Sequence, residues 1–115
     1  MKNLFLCIGL VSSLLGFSQD WANRNFFKEK NQQLVAEGKL VEAVFMGNSI
    51  TQGWVDMRPH FFTENSFVNR GIGGQTTPQM LLRFRQDVID LKPKAVVILA
   101  GINDIAENTG PISLE

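Results

Sequence analysis

Apolar residues recur along this chain in two ways: at spacings of three and four in some stretches, and in short unbroken runs in others. The first spacing suits a helix with one buried face, the second a strand inside a sheet. Asp20 to Glu37 predicts a helix, with Trp21, Phe26, Phe27, Leu34 and Val35 as its main apolar residues and Gly38 as a C-terminal stop. Leu40 to Met46 is mostly apolar and predicts a strand ending at Gly47. A short helix is expected from Ser49, followed by a loop containing Pro59. Ser66 to Asn69 predicts a second, short strand. Thr77 then suits an N-cap and Pro78 the first helical position. Leu81, Phe84, Val88 and Leu91 give that helix one buried face, and "LKPK" ends it. Ala95 to Ala100, "AVVILA", is apolar throughout and predicts a strand buried on both faces.

The predicted order is α-β-α-β-α-β. Strands that alternate with helices argue for the α/β class, a parallel sheet covered by helices. In such sheets ligands bind beyond the carboxyl ends of the strands. Here those ends carry "GNSIT", "GIGGQ" and "GINDI", each rich in glycine and polar residues. Their side chains and amides are expected to converge on one small region.

The first stretch fits neither pattern. "MKNLFLCIGLVSSLLGFSQD" has a positive start at Lys2 and an apolar run from Leu4 to Phe17. Gly16 and Ser18 are small residues before a cut at Gln19, so residues 1–18 are expected to be a secretory signal peptide and the mature protein to be exported. A membrane anchor is the competing reading, but the run falls short of the roughly 20 residues a spanning helix needs. Without residues 1–18 the chain has ten basic against eleven acidic residues, a formal charge of −1. No basic run stands out, which argues against a nucleic-acid partner. The only cysteine is Cys7, inside the leader, so the rest of the chain has no cysteine for a disulfide, a zinc site or a nucleophile.

The chemistry-bearing candidates lie in the three loops. A serine at a strand-to-helix turn projects above the sheet, and the helix N-terminus favours negative charge developing beside it. Ser49 therefore reads as a nucleophile, or else as a simple helix cap. Gly71, Gly73 and Gly74 let backbone amides approach a ligand closely, as an oxyanion hole requires. A tight turn or a phosphate-binding loop is the alternative, although "GIGG" lacks the full dinucleotide pattern and no P-loop lysine comes after it. Asn103 has a side-chain amide able to donate to the same oxyanion, or is a turn residue with Asp104 capping the next turn.

Together, "GNSIT", "GIGGQTT" and "GIND" resemble the successive blocks of the SGNH hydrolases, or GDSL esterases and lipases. The surroundings "NRGIGGQTTPQML" and "VVILAGINDIAENTG" are similar to the platelet-activating-factor-acetylhydrolase-like branch, and the resemblance runs from about Val41 to Pro111. It implies a flavodoxin-like three-layer α/β/α parallel sheet, of which about three strands are present. It implies Ser49 as nucleophile, and Gly74 and Asn103 as oxyanion-hole donors. It implies hydrolysis of a carbohydrate or lipid ester through an acyl-enzyme, with no metal and no cofactor. The family's usual aspartate before the serine is Asn48 here, a change expected to alter the rate only modestly. The family's base block, an aspartate and a histidine three residues later, has no match before Glu115. His60, the only histidine, reads as a loop residue. Residues 19–115 are accordingly expected to be the N-terminal part of a hydrolase domain, poorly soluble and inactive alone. The rival reading is a non-catalytic carbohydrate- or phosphate-binding module on the same scaffold.

Overall fold

In the computed structural model, which describes residues 19–113, three parallel strands form one sheet with helices on both faces. The elements run α1 (Lys28–Ala36), β1 (Ala43–Gly47), α2 (Ser49–Met57), α3 (Pro59–Glu64), β2 (Phe67–Gly71), α4 (Thr77–Asp87), a 3-10 turn (Ile89–Leu91), β3 (Ala95–Leu99) and α5 (Ile102–Ile105). The strand order is β2-β1-β3, and this portion of sheet has the topology of the doubly wound folds. The register of the strands aligns their loops. Ala43 lies opposite both Phe67 and Ala95, and Gly47 opposite both Gly71 and Leu99. The three strands therefore end level, and the loops after them start from one straight edge.

Alternation along β1 feeds two cores. Val44 and Met46 face α1 and α4, where they pack with Leu34, Met80, Phe84, Val88 and Leu91. Ala43 and Phe45 face α2 and α3. The Phe45 ring lies 5.3 Å from Trp54, 5.4 Å from Phe62, 5.8 Å from Phe61 and 5.3 Å from Phe67, centroid to centroid. Each such pair contributes about 0.5–1.5 kcal/mol beyond area burial. Because Trp54 is on α2, this cluster seats the helix whose first residue is Ser49.

The structure corrects several expectations. The first helix starts at Lys28, not Asp20. Residues 21–27 form turns instead, because the Asp20 carboxylate accepts the Asn25 amide at 2.9 Å and Asn23 takes a left-handed φ of 54°. The segment around Pro59 is a helix, with proline at its first position where a missing N–H costs nothing. The α4 N-cap is Thr76, one residue earlier than expected, and the Gln79 side chain reaches back to accept the Thr76 amide at 3.0 Å. The buried face of α4 is Met80, Arg83 and Asp87, while Leu81 is exposed. Phe84, Val88 and Leu91 pack into the core as expected, and the charged Arg83 and Asp87 are buried beside them. Finally, β3 is exposed along its whole length rather than buried on both faces. It is bordered by β1 on one side, and β1 is the element most extensively packed on it among the described residues. The expected leader, with Cys7, lies outside the described residues. No described helix is long and apolar enough to cross a membrane.

Candidate active site

Ser49 is the first residue of α2, two positions beyond the end of the central strand, and it is exposed. Asn48 caps the helix, its Oδ1 accepting the Ile50 amide at 3.0 Å. The capping role considered for Ser49 therefore belongs to its neighbour. That leaves the Ser49 hydroxyl and amide at the positive end of a nine-residue helix, and the amide has no acceptor among the described residues. Asn48 itself is buried, and its Nδ2 has no partner among the described residues.

The loop after β2 lies directly beside this turn. A Cβ built on Gly71 would stand 2.2 Å from the Gln52 backbone nitrogen, so only glycine lets α2 approach the strand end this closely. A Cβ on Gly73 would lie 3.7 Å from the Ser49 Cβ, which places the glycine loop against the serine. Almost every amide in that loop is engaged. Ile72 donates to the Gly47 carbonyl at 3.0 Å, Gly73 to Gln52 Oε1 at 2.7 Å, and Gln75 to the Ile72 carbonyl at 3.4 Å. Thr76 donates to Gln79, and Thr77 to both Asp104 carboxylate oxygens at 3.0 and 3.1 Å. Gly74 is the exception: its amide has no acceptor among the described residues, and its φ of +73° suits a residue without a Cβ. Since unpaired amides are costly except where water or a ligand meets them, this exposed N–H is a donor available to a ligand.

The third loop braces the second. Asn103 Nδ2 donates to the Gln75 carbonyl at 2.9 Å, which uses one of its two N–H groups. Asn108 Nδ2 donates to the Gly74 carbonyl at 3.2 Å. Asp104, which would cap the next turn if Asn103 were only a turn residue, instead directs its carboxylate to Thr77. It is buried at the N-terminus of α4, where it accepts the Thr77 amide and also the Thr77 hydroxyl. Ser49, Gly74 and Asn103 thus stand in three loops along one edge, with Gly73 against Ser49 and Asn103 tied to the residue after Gly74. His60 is not among them. It is exposed on α3, its Nδ1 3.7 Å from Glu64. Among the described residues no cluster of three or more His, Cys, Asp or Glu side chains is placed to hold a metal ion.

Under the loops lies a buried polar network that the sequence did not announce. Arg83 donates from Nε to Gln75 Oε1 at 2.6 Å, from Nη1 to Asp87 Oδ2 at 3.0 Å and from Nη2 to the Gly47 carbonyl at 3.2 Å. Asp87 also accepts from Asn31 Nδ2 at 2.6 Å, and Asn31 Oδ1 accepts from Arg70 Nε at 2.8 Å. Arg70 rests its guanidinium 4.7 Å from the Phe27 ring centre. Burial pulls the Arg70 guanidinium down to about 10, with Asp87 opposing the shift, so it stays protonated at neutral pH. Burial lowers Arg83 too, against the hydrogen bond and charge of Asp87. A cavity of about 940 Å³ lies away from Ser49, lined by the segment before α1, by α1 itself, by α4 and by the 3-10 turn.

Comparisons with known proteins bear on this edge. The sequence model of the GDSL-like Lipase/Acylhydrolase family matches residues 45–115, which includes all three loops. A "putative acylhydrolase" of Bacteroides fragilis NCTC 9343 is 50% identical and superposes with a TM-score of 0.75 over 84% of this chain and 47% of its own. A GDSL-like lipase of Bacteroides thetaiotaomicron VPI-5482 is 52% identical, with a TM-score of 0.72 over 80% of this chain and 45% of its own. An uncharacterised lipoprotein of Bacillus subtilis (strain 168), YqeF, is 46% identical over 56 residues, which is 48% of this chain and 23% of that protein. The chain thus spans about half the length of the solved relatives and about a quarter of the curated one.

Proposed function

Because this chain belongs to the GDSL-like lipase/acylhydrolase family, we propose that it carries the nucleophile and oxyanion hole of a serine esterase. In this reading Ser49 Oγ attacks an ester carbonyl, and the Gly74 amide, the Ser49 amide and Asn103 Nδ2 stabilise the oxyanion that forms. The alcohol leaves, and water releases the acyl group from Ser49. The general base is expected from the portion of the relatives that this chain does not span. One observation carries the reading: the amide of Gly74 is the one left unpaired in a loop whose other amides are engaged, and that loop lies against Ser49. An acetylated carbohydrate or a lipid ester is the proposed substrate class. Export is part of the reading, supported by the leader-like residues 1–18 and by the lipoprotein among the relatives.

The test is hydrolysis of p-nitrophenyl acetate by the full-length protein, with fluorophosphonate labelling of Ser49. Turnover and labelling that Ser49→Ala abolishes would support the esterase. Binding of carbohydrate or phosphate with neither turnover nor labelling would favour the binding module instead.

A further inference from the structure

We propose that Arg83 is a positioning residue for this site: through the Gly47 carbonyl and the Gln75 side chain it holds the loops of Ser49, Gly74 and Asn103 at a fixed separation. The inference rests on the esterase reading of those three residues. Arg83 is completely buried, and two of its three hydrogen-bonding nitrogens serve the strand-end edge rather than its own helix. Nη2 reaches the carbonyl of Gly47, two residues before Ser49. Nε reaches the side chain of Gln75, the residue after Gly74. Gln75 passes the constraint on, because its own carbonyl accepts Asn103 Nδ2 at 2.9 Å. Its Nε2 is also anchored, donating to the Ala22 carbonyl at 2.7 Å. One guanidinium therefore touches the first loop directly, the second through a side chain and the third through that residue's carbonyl.

Only arginine fits this task. Its planar fork directs N–H groups to a carboxylate, a carbonyl and an amide oxygen at once, whereas a lysine ammonium is a single point on a flexible stem. Stability alone does not account for it, since a buried ion pair is commonly no better than apolar residues of the same volume. Apolar residues, however, would leave Gln75 Oε1 without its donor and Gln75 held at the Ala22 end alone, and an oxyanion hole works only when its donors are already aimed. A displacement of about 1 Å at a reacting centre can cost about 100-fold in rate.

The test compares Arg83→Lys and Gln75→Met with the wild type in the full-length protein, well below their unfolding midpoints. The measurements are kcat and KM for p-nitrophenyl acetate and the affinity for phenylboronic acid, which forms a tetrahedral adduct on a serine. Both variants should lose about 10- to 100-fold in kcat with KM within about threefold, and boronate affinity should fall in parallel. A folded Arg83→Lys with wild-type kcat overturns the inference. If that variant fails to fold, Gln75→Met decides, because it leaves the Arg83–Asp87 pair and the Gly47 contact in place; wild-type kcat there overturns the inference equally. A wild type that neither turns over nor labels at Ser49 would overturn the esterase reading and this inference with it. An active wild type with unaffected variants overturns this inference alone.

Discussion

Asp87→Asn should be among the most damaging single changes of similar shape in the described chain. Asp87 is completely buried, and it accepts from Asn31 Nδ2 at 2.6 Å and from Arg83 Nη1 at 3.0 Å. It is also the carboxylate that faces two buried cations, Arg83 and Arg70. The amide keeps the volume of the carboxylate, so no cavity term enters. What changes is charge and donor count. The new NH₂ must point at one of two groups that are themselves donors, leaving at least one buried polar group unsatisfied. Removing one partner of a buried pair costs about 3–5 kcal/mol, and an unsatisfied buried donor about 1–3 kcal/mol. These overlap and do not add, so about 4 kcal/mol is expected. That is a large share of the 5–15 kcal/mol, roughly, that holds a domain folded. The assay is urea unfolding of the wild type, of Asp87→Asn and of Glu42→Gln as a control. Glu42 pairs with Lys94 at 2.7 Å at the surface, with Lys94 62% and Glu42 36% exposed, so its loss should cost less than about 1 kcal/mol. If Asp87→Asn cost no more than the control at unchanged m-value, the buried network would not be holding the fold as argued.

Two further substitutions probe the edge itself. Gly71→Ala should destabilise by about 1–3 kcal/mol and lower esterase activity, because the new Cβ meets a backbone nitrogen that can move only with α2; thermal unfolding and p-nitrophenyl acetate turnover measure the two, and an unchanged melting temperature would contradict the close approach. Asn48→Asp should leave the rate within about threefold, since Asn48 acts as a cap and the change removes an unpaired buried donor while placing negative charge at a helix N-terminus; a rate loss as large as that of Ser49→Ala would refute this.

The sheet, and the meeting of three candidate loops at one edge of it, were legible in the sequence for the same reason. Each strand ends in a glycine-rich polar loop, and turn chemistry of that kind is local, so "GNSIT", "GIGGQ" and "GINDI" could be placed without knowing what packs on them. What remained hidden was whatever depends on a neighbour distant in sequence. Trp21 and Phe26 counted among the apolar residues of the expected helix, but the Asp20–Asn25 bond and the left-handed Asn23 divert the chain into turns. Pro59 suggested a loop, yet proline is acceptable at a first helical position, and Phe62 supplies the buried contact that holds the helix. Gln52, Gln75 and Asn108 bear on the site only through partners more than twenty positions away, at Gly73, Arg83 with Ala22, and Gly74, apart from the eight-residue step from Gln75 to Arg83.

The buried ion pair on α4 is the instructive addition to its apolar stripe. Arg83 and Asp87 are four apart, the spacing of an ion pair on a solvated helix face, and the exposed reading is the ordinary one for such a pair. Helical phase alone could not distinguish it, because Leu81, Phe84, Val88 and Leu91 define a stripe that leaves Arg83 beside it. The deciding fact is three-dimensional: Met80, Arg83 and Asp87 turn toward β1, where Arg83 gives the Gly47 carbonyl a second donor beside the Ile72 amide and meets Gln75 Oε1. The end of a central strand in a parallel sheet is where loops leave for chemistry, and the polar groups of those loops that turn inward must be met there. A charged residue on the covering helix is one way to meet them. A helix in an α/β chain whose apolar stripe is interrupted by an arginine and an acid four apart, opposite a glycine-ended strand, is therefore a candidate support for the site rather than for the surface.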